Sequence, residues 1–405
     1  MPELHLLSPL GFRASGVYAG IKRAQTPDVG LLICDTLATA AAVFTTNKVC
    51  AAPVKVGREH VRAGKLRGVV MNSGNANACT GKQGEKDARR MCEVASSLVG
   101  AEEEMFLPSS TGIIGHMLPM NKVERGIVEA GQYLGTSHEH ALLFTDAILT
   151  TDTRRKAAAV EFKVGRQKVR LAGVCKGAGM IGPRMVAPGT KHATMLAYLT
   201  TDAKISPALL KKLLASSAEG SFNAVTIDDH TSTNDTAAIL ASGASGASID
   251  YPATVKSFTR ALDEVCQSLA YQIAADGEGA TKVVKITVTG AATEQDAKLM
   301  ARFIANSPLV KCAMHGNDPN WGRIVSAAGM SGATFDPDRA ELTLQGTPVC
   351  RRGTPVGFDP EAVSESLKSK DVSVILACRS GKGAATVWTC DLSKEYVTIN
   401  ADYHT

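Results

Sequence analysis

The segment Lys176-Gly177-Ala178-Gly179-Met180-Ile181-Gly182 contains the G-x-G-x-x-G spelling of a dinucleotide-binding turn, and Asp202 lies twenty residues beyond Gly182. That fingerprint requires a helix to begin inside the turn, so that a pyrophosphate meets the helix N-terminus. Pro183, Pro188 and Gly189 follow directly, and proline within a helix removes a backbone donor and clashes with the preceding turn. The segment is therefore read as a glycine turn that leads somewhere other than a nucleotide cradle. The phosphate-binding spelling G-x-x-x-x-G-K-[ST] is absent as well.

The turn leads to Ala193-Thr194-Met195-Leu196 and then Thr200-Thr201-Asp202-Ala203. A threonine hydroxyl is a weak nucleophile unless a base stands beside it, and cutting the chain before the threonine makes its own α-amine that base. An α-amine with an unperturbed pKa of about 7.7 to 8.0 suits proton transfer near neutrality. The expectation is a self-cleaving N-terminal-threonine acyltransferase.

The rest of the chain sets the fold class. At 405 residues it calls for two or three domains. Short apolar runs such as Gly30 to Asp35 and Ala41 to Phe44 read as strands in a strand-rich stretch reaching about Val56. Helical periodicity marks Gln83 to Leu98, the segment opened by Ser206-Pro207, and Thr254 to Ala275. A strand at Val283 to Thr289 precedes a helix at Thr293 to Ala305, where Thr293 and Asp296 suggest a capping box. Strands are then expected at Glu341 to Leu344, Val372 to Cys378, Ala384 to Cys390 and Tyr396 to Asn400. This order predicts an α+β architecture of layered sheets covered by helices, not a regular βαβ repeat.

Composition narrows the function. The net charge of +5 is small for this length and aromatics make up 5%, which argues against a nucleic-acid partner. The ten cysteines are widely spaced without CxxC, so buried free thiols in a reducing cytosol are expected, not a disulfide scaffold or zinc site. No apolar run of 18 residues occurs and Glu3 and His5 precede the first hydrophobic stretch, so neither a membrane span nor a secretory signal is expected and the cytoplasm is the default. His138-Glu139-His140 is read as solvated surface without a metal.

Two motifs remain. Ser109-Ser110-Thr111-Gly112-Ile113-Ile114-Gly115 is read as a turn able to present a hydroxyl and a backbone N–H to an oxyanion. Asp276-Gly277-Glu278-Gly279 either grips a substrate ammonium or marks a helix end.

Taken in order, these segments resemble the ornithine acetyltransferase family, the bifunctional glutamate N-acetyltransferases of arginine biosynthesis. The resemblance also runs through Asn72 to Gly81, Thr150-Thr151-Asp152-Thr153, Thr231 to Asp235, Asn306 to Lys311, Asp318 to Arg323 and Asn400 to Thr405. It implies an N-terminal-nucleophile-like fold and self-cleavage between Ala193 and Thr194, giving an α chain of residues 1–193 and a β chain of 194–405. Two such heterodimers would associate. It implies acetyl transfer from N-acetylornithine to glutamate through acetyl-Thr194, without a cofactor, and leaves acetyl-CoA open as a second donor. Thr111 and Gly112 would hold the oxyanion, and Thr150, Lys176, Thr194, Glu278, Asn400 and Thr405 would contact substrate. Thr151 is the neighbouring candidate for Thr150.

Two departures stand out. The family's glycine turn runs through one proline into the Ala-Thr cut, whereas Arg184 to His192 intervene here. His230 stands where the family commonly has an acidic residue. The competing enzyme reading is an N-terminal-nucleophile amidohydrolase or aminopeptidase, in which water releases the acyl group.

Overall fold

The computed structural model describes residues 3–185 and 195–402. Ala193, Thr194 and Thr405 lie outside these residues. The chain forms two compact units, Met1–Asn223 with His230–Leu269, and Ala224–Asp229 with Ala270–Thr405.

The strands of the first unit are β1 (Phe12–Val17), β2 (Val29–Phe44), β3 (Lys65–Asn75), β4 (Phe106–Ile113), β5 (Lys156–Val164), β6 (Gln167–Lys176), β7 (Leu196–Thr201), β8 (Lys204–Ile205), β9 (Thr236–Ala241) and β10 (Ser248–Ile249). Short β8 and β10 pair with each other. The remainder form one sheet in the order β4-β3-β2-β9-β7-β6-β5, with β1 also on β2. The helices are α1 (Ala52–His60), α2 (Gly81–Ser97), α3 (Met120–Gln132), α4 (His138–Ile148), α5 (Pro207–Glu219) and α6 (Pro252–Ala275), whose last six residues belong to the second unit.

Alternation along β2 explains the layering, because successive side chains of a strand point to opposite faces. Leu31 and Ile33 pack with Val70, Phe106, and Met91 and Ile127 from α2 and α3. Leu32 and Cys34 pack instead with Met71, Tyr198, and Phe144 and Ile148 from α4. Helices therefore cover both faces. The two apolar runs expected as separate strands are one sixteen-residue strand, with a register shift between Ile33 and Ala38. The strand-rich reading to Val56 ends earlier, because α1 starts at Ala52 with proline in its first turn. Ser109 to Ile113, read as a turn, are the end of β4, held by parallel pairing to β3, a long-range contact that local residue types do not announce. The α5 start is as expected, since the Ser206 hydroxyl accepts from the Leu209 amide.

The second unit contains β11 (Val283–Ala291), β12 (Glu341–Leu344), β13 (Thr347–Arg351), β14 (Thr354–Pro355), β15 (Asp371–Ala377) and β16 (Gly383–Cys390), ordered β14-β13-β12-β15-β11-β16. Its helices are α7 (Glu294–Asn306), α8 (Pro308–His315), α9 (Trp321–Gly329), α10 (Pro360–Ser366) and α11 (Lys394–Asp402). Val284, Ile286 and Val288 of β11 and Val374 and Leu376 of β15 pack with Met300 and Ile304 of α7 and Ile324 of α9. Thr293 caps α7, accepting from the Asp296 amide at 3.0 Å.

Tyr396 to Asn400, expected as a strand, are helical. The β-branched Val397, Thr398 and Ile399 favour extended chain, but none of the α11 residues is buried, so no sheet rewards that preference. The Ser393 hydroxyl accepts from the Glu395 amide at the helix start, and Thr398 and Asn400 donate back to the carbonyls of Lys394 and Tyr396.

Both units are α+β, as expected. All ten cysteines are free, with Cys79 and Cys312 exposed and Cys50 half-buried. Among the described residues no helix is long and apolar enough to cross a membrane.

Candidate functional site

The end of β4 is braced from two sides. Ser73 pairs with Thr111 and Gly74 with Gly112, after which the register slips at Asn75. The Ser110 hydroxyl donates to Asn72 Oδ1 at 2.6 Å, and the Asn234 amide group donates to the carbonyls of Ala76 and Ser110 at 2.6 and 2.8 Å. Thr111 is buried and Gly112 has φ +128°. A Cβ on Gly112 would lie 2.4 Å from the Gly74 carbonyl carbon and 2.6 Å from the Asn75 nitrogen. Glycine is required there by conformation and by space.

Lys176 ends β6, and Gly177, with φ +152°, starts the glycine turn. No helix begins in residues 177–185, which removes the dinucleotide spelling from consideration. Asp152 organises this end of the sheet. Its side chain is wholly buried, 2.6 Å from the equally buried Lys156 ammonium and 3.7 Å from that of Lys176. The amides of Gly177 and Thr150 donate to it at 2.6 and 3.2 Å. Burial alone would raise its pKa, but the two ammonium groups and the Gly177 amide outweigh burial and hold the carboxyl well below the ordinary range. Asp152 thus fixes both the Lys176 head and the backbone of the TTDT segment. Thr150 and Thr151 are both half-buried, so exposure does not separate them.

Lys22 shares this electrostatic environment. Its ammonium donates to the carbonyls of Pro27 and Asp146, and its stem would meet a Cβ on Gly74 at 3.2 Å. Burial, with repulsion from Lys176 added, overrides the pull of Asp28, Asp152 and Asp146 and lowers its pKa to about 8.

In the second unit the Asp276 to Gly279 segment follows α6 and turns against the start of α11. A Cβ on Gly279, where φ is +69°, would lie 2.5 Å from the Tyr396 nitrogen, and the Ser393 hydroxyl donates to the Gly279 carbonyl. This brings the Asn400 amide group 2.9 Å from Glu278 Oε2. Two of the expected substrate contacts are therefore hydrogen-bonded to each other.

In the first unit Thr150 and Lys176 share Asp152, and Thr111 and Gly112 end β4 against β3, while the second unit pairs Glu278 with Asn400. Thr194, Ala193 and Thr405 are outside the described residues, but the chain is anchored on either side of 186–194. Asn223 exchanges hydrogen bonds with the backbone of Met185, and the Thr236 amide donates to the Met195 carbonyl at 2.6 Å. His230 is exposed. His140 bonds its own N-cap, Ser137, and His138 stacks on His5.

Sequence reasoning had not singled out Asn72, Asn234, Asp152, Asp235 or Lys22. Asn72 lies in β3, and Asp152, Asn234 and Asp235 sit in hydroxyl- and amide-rich segments just before β5 and β9. Buried polar groups require partners, so such clusters signal a structured network. Which carboxyl anchors it depends on strand register.

The ArgJ family model matches residues 13–405. A relative from Dehalococcoides mccartyi, named arginine biosynthesis bifunctional protein ArgJ, is 42% identical over 412 residues, covering 100% of this chain and 98% of its own. A protein of the same name from Lactococcus lactis is 44% identical, covering 98% of each. A crystal structure of arginine biosynthesis bifunctional protein argJ from Bacillus halodurans is 38% identical with a TM-score of 0.49, covering 50% of this chain and 97% of that one. The family match and the near-complete alignments agree on one assignment. This chain belongs to the ArgJ family.

Proposed function

We propose that this protein is the acyltransferase of arginine biosynthesis that moves an acetyl group from N-acetylornithine to glutamate. The observation that carries the reading is the match to the ArgJ family over residues 13–405. Self-cleavage between Ala193 and Thr194 frees the Thr194 α-amine. The Thr194 hydroxyl oxygen attacks the acetyl carbonyl carbon, and its proton passes to that amine. The negative charge on the acetyl oxygen is held by the Thr111 hydroxyl and the Gly112 N–H. As the C–N bond to ornithine breaks, the proton goes to the departing nitrogen, leaving acetyl-Thr194. The glutamate amine then attacks this ester and loses a proton to the same base, the ester C–O bond breaks, the proton returns to the Thr194 oxygen, and N-acetylglutamate leaves.

Lys176 pairs with the substrate carboxylate and Glu278 with the ornithine ammonium, with Thr150, Asn400 and Thr405 as further contacts. The buried position of Lys176 and its anchoring by Asp152 support this role. The name bifunctional, borne by the relatives, supports acetyl-CoA as a second donor to glutamate. The two cleaved chains remain associated, two heterodimers form the assembly, and the enzyme works in the cytoplasm.

The test is the intact mass of the wild-type protein and of Thr194→Ala, followed by an acetyl-transfer assay. Two fragments from wild type, the second starting at Thr194, one uncut chain from the variant, and N-acetylglutamate formed from N-acetylornithine are expected. Release of acetate without dependence on an amino-acid acceptor would instead identify an amidohydrolase.

A further inference from the structure

The segment that carries Glu278 runs from the end of α6 to the start of β11, and Asp391 grips its far end. Val283 of β11 pairs with Cys390, the last residue of β16, so Lys282 and Asp391 face each other one step beyond the ladder. There the Asp391 amide donates to the Lys282 carbonyl at 3.4 Å. The Asp391 side chain is wholly buried. Its Oδ1 accepts from the amides of Thr281 and Lys282, each at 2.8 Å. Its Oδ2 accepts from the Thr281 hydroxyl at 2.6 Å, and His315 Nδ1 lies 2.7 Å from the same oxygen. Burial alone would raise the Asp391 pKa, but the hydrogen bonds from Thr281, His315 and the two amides outweigh it and hold the carboxyl below its ordinary value.

The grip reaches back to Glu278. Ser393, two residues after Asp391, donates to the Gly279 carbonyl at 2.6 Å, and the Ala280 amide closes a turn on the Gly277 carbonyl at 2.8 Å. A Cβ on Gly277 would lie 3.0 Å from Cys390 Sγ. Lys282 is tied from its other end, its ammonium donating to the Met314 carbonyl at 2.6 Å and to Asn317. Gly277, Gly279, Ala280, Thr281 and Lys282 are thus each held, while Glu278 itself stays half-buried with Asn400 at its carboxylate. Starting a strand pair needs no buried carboxylate, and burying one is costly unless something repays it. A side chain that must meet a ligand within about 0.5 Å needs a supporting shell of this kind.

We propose that Asp391 is a positioning residue for the acetyl donor: by clamping Thr281 and Lys282 it aims Glu278 at the side-chain ammonium of N-acetylornithine. The inference rests on the acyltransferase reading above. Its consequence is selective. Glutamate carries no side-chain ammonium, so the clamp serves the donor half of the reaction and not the acceptor half. No bond or proton changes at Asp391.

The experiment measures KM and kcat for both substrates in wild type, Asp391→Ala, Asp391→Asn, Glu278→Gln and the double variant Asp391→Ala/Glu278→Gln, with intact mass and thermal melting as checks on maturation and folding. Wild type must first transfer acetyl; failure there removes the acyltransferase reading whatever the variants do. Asp391→Ala should raise KM for N-acetylornithine about tenfold, with kcat and the KM for glutamate changed less than about twofold. Asp391→Asn keeps an oxygen for the two amides and can donate to the Thr281 hydroxyl oxygen, so it should bring that KM back to within about threefold of wild type. In Glu278→Gln the contact is already gone, and adding Asp391→Ala should change KM by less than about twofold. If Asp391→Ala does not fold or mature, Thr281→Val decides: it deletes one donor to Asp391 at an exposed residue and should give the same pattern at about threefold. In the variant that decides, a wild-type KM for N-acetylornithine, equal rises for both substrates, or a loss that adds fully to that of Glu278→Gln would each overturn the proposal.

Discussion

Replacing Asp152 by Asn keeps the side-chain shape and removes the charge that two ammonium groups share. Lys156 loses a carboxylate 2.6 Å away in a setting where both side chains are wholly buried, and Lys176 loses one at 3.7 Å. Removing one partner of a buried ion pair destabilises by about 3–5 kcal/mol, because the remaining charge stays desolvated. At about 2–4 °C per kcal/mol for a unit of this size, the melting temperature at pH 7 should fall by roughly 10 °C. The pH dependence has a definite sign. The Asp152 pKa is depressed in the folded protein, so its contribution is complete above the unfolded value of about 3.9 and is lost only as pH falls through the lower folded value. The gap between wild type and variant should therefore persist at pH 4 and close only in stronger acid. Calorimetry of both proteins across this range is the assay. A drop below about 2 °C at pH 7, or a gap that closes near pH 6, would refute the view of Asp152 as the ionised anchor of this sheet end.

Three further outcomes follow from the geometry. Gly112→Ala places a Cβ a full ångström inside ordinary contact with the Gly74 carbonyl carbon, and about a hundredfold loss of kcat for acetyl transfer is expected from the displaced oxyanion donor; a rate within threefold of wild type would count against that role. Competitive acetic anhydride labelling, read by peptide mass spectrometry, should find the Lys22 amine titrating near pH 8, well below a typical exposed lysine at about 10.4. Asn400→Ala removes the 2.9 Å bond to Glu278 and should raise KM for N-acetylornithine about tenfold, near 1.4 kcal/mol, with kcat little changed; a fall confined to kcat would place Asn400 in the chemical step instead.

The α+β class and most elements were legible because their signals are local. Ser206-Pro207 and Thr293 with Asp296 announce helix starts through the hydrogen bonds they make, and Val283 to Thr289 carries period-two alternation. Tyr396 to Asn400 misled because its β-branched residues signal a strand only where a sheet can receive them. At the site, the family motifs pointed to Thr111, Gly112 and Lys176, whose segments carry glycines and hydroxyls in sequence. The carboxyl behind Lys176 was not legible. Asp152 matters because β6 brings Lys176 beside it. That contact arises from long-range placement, which leaves no trace in residue spacing.

The position of β7 between β6 and β9 bears on what the proposed cut does to the protein as a material. Scission before Leu196 would leave β1 to β6 on one polypeptide and β7 and β9 on the other, joined edge to edge by the ladders of β7 to β6 and of β9 to β2. The native sheet would survive intact, but the route back to it would change order. A precursor refolds alone, at a rate independent of dilution, whereas the cut molecule must find its lost half in solution. The mature form would then owe its lifetime to slow unfolding, showing hysteresis between melting and recovery and a refolding yield that falls on dilution.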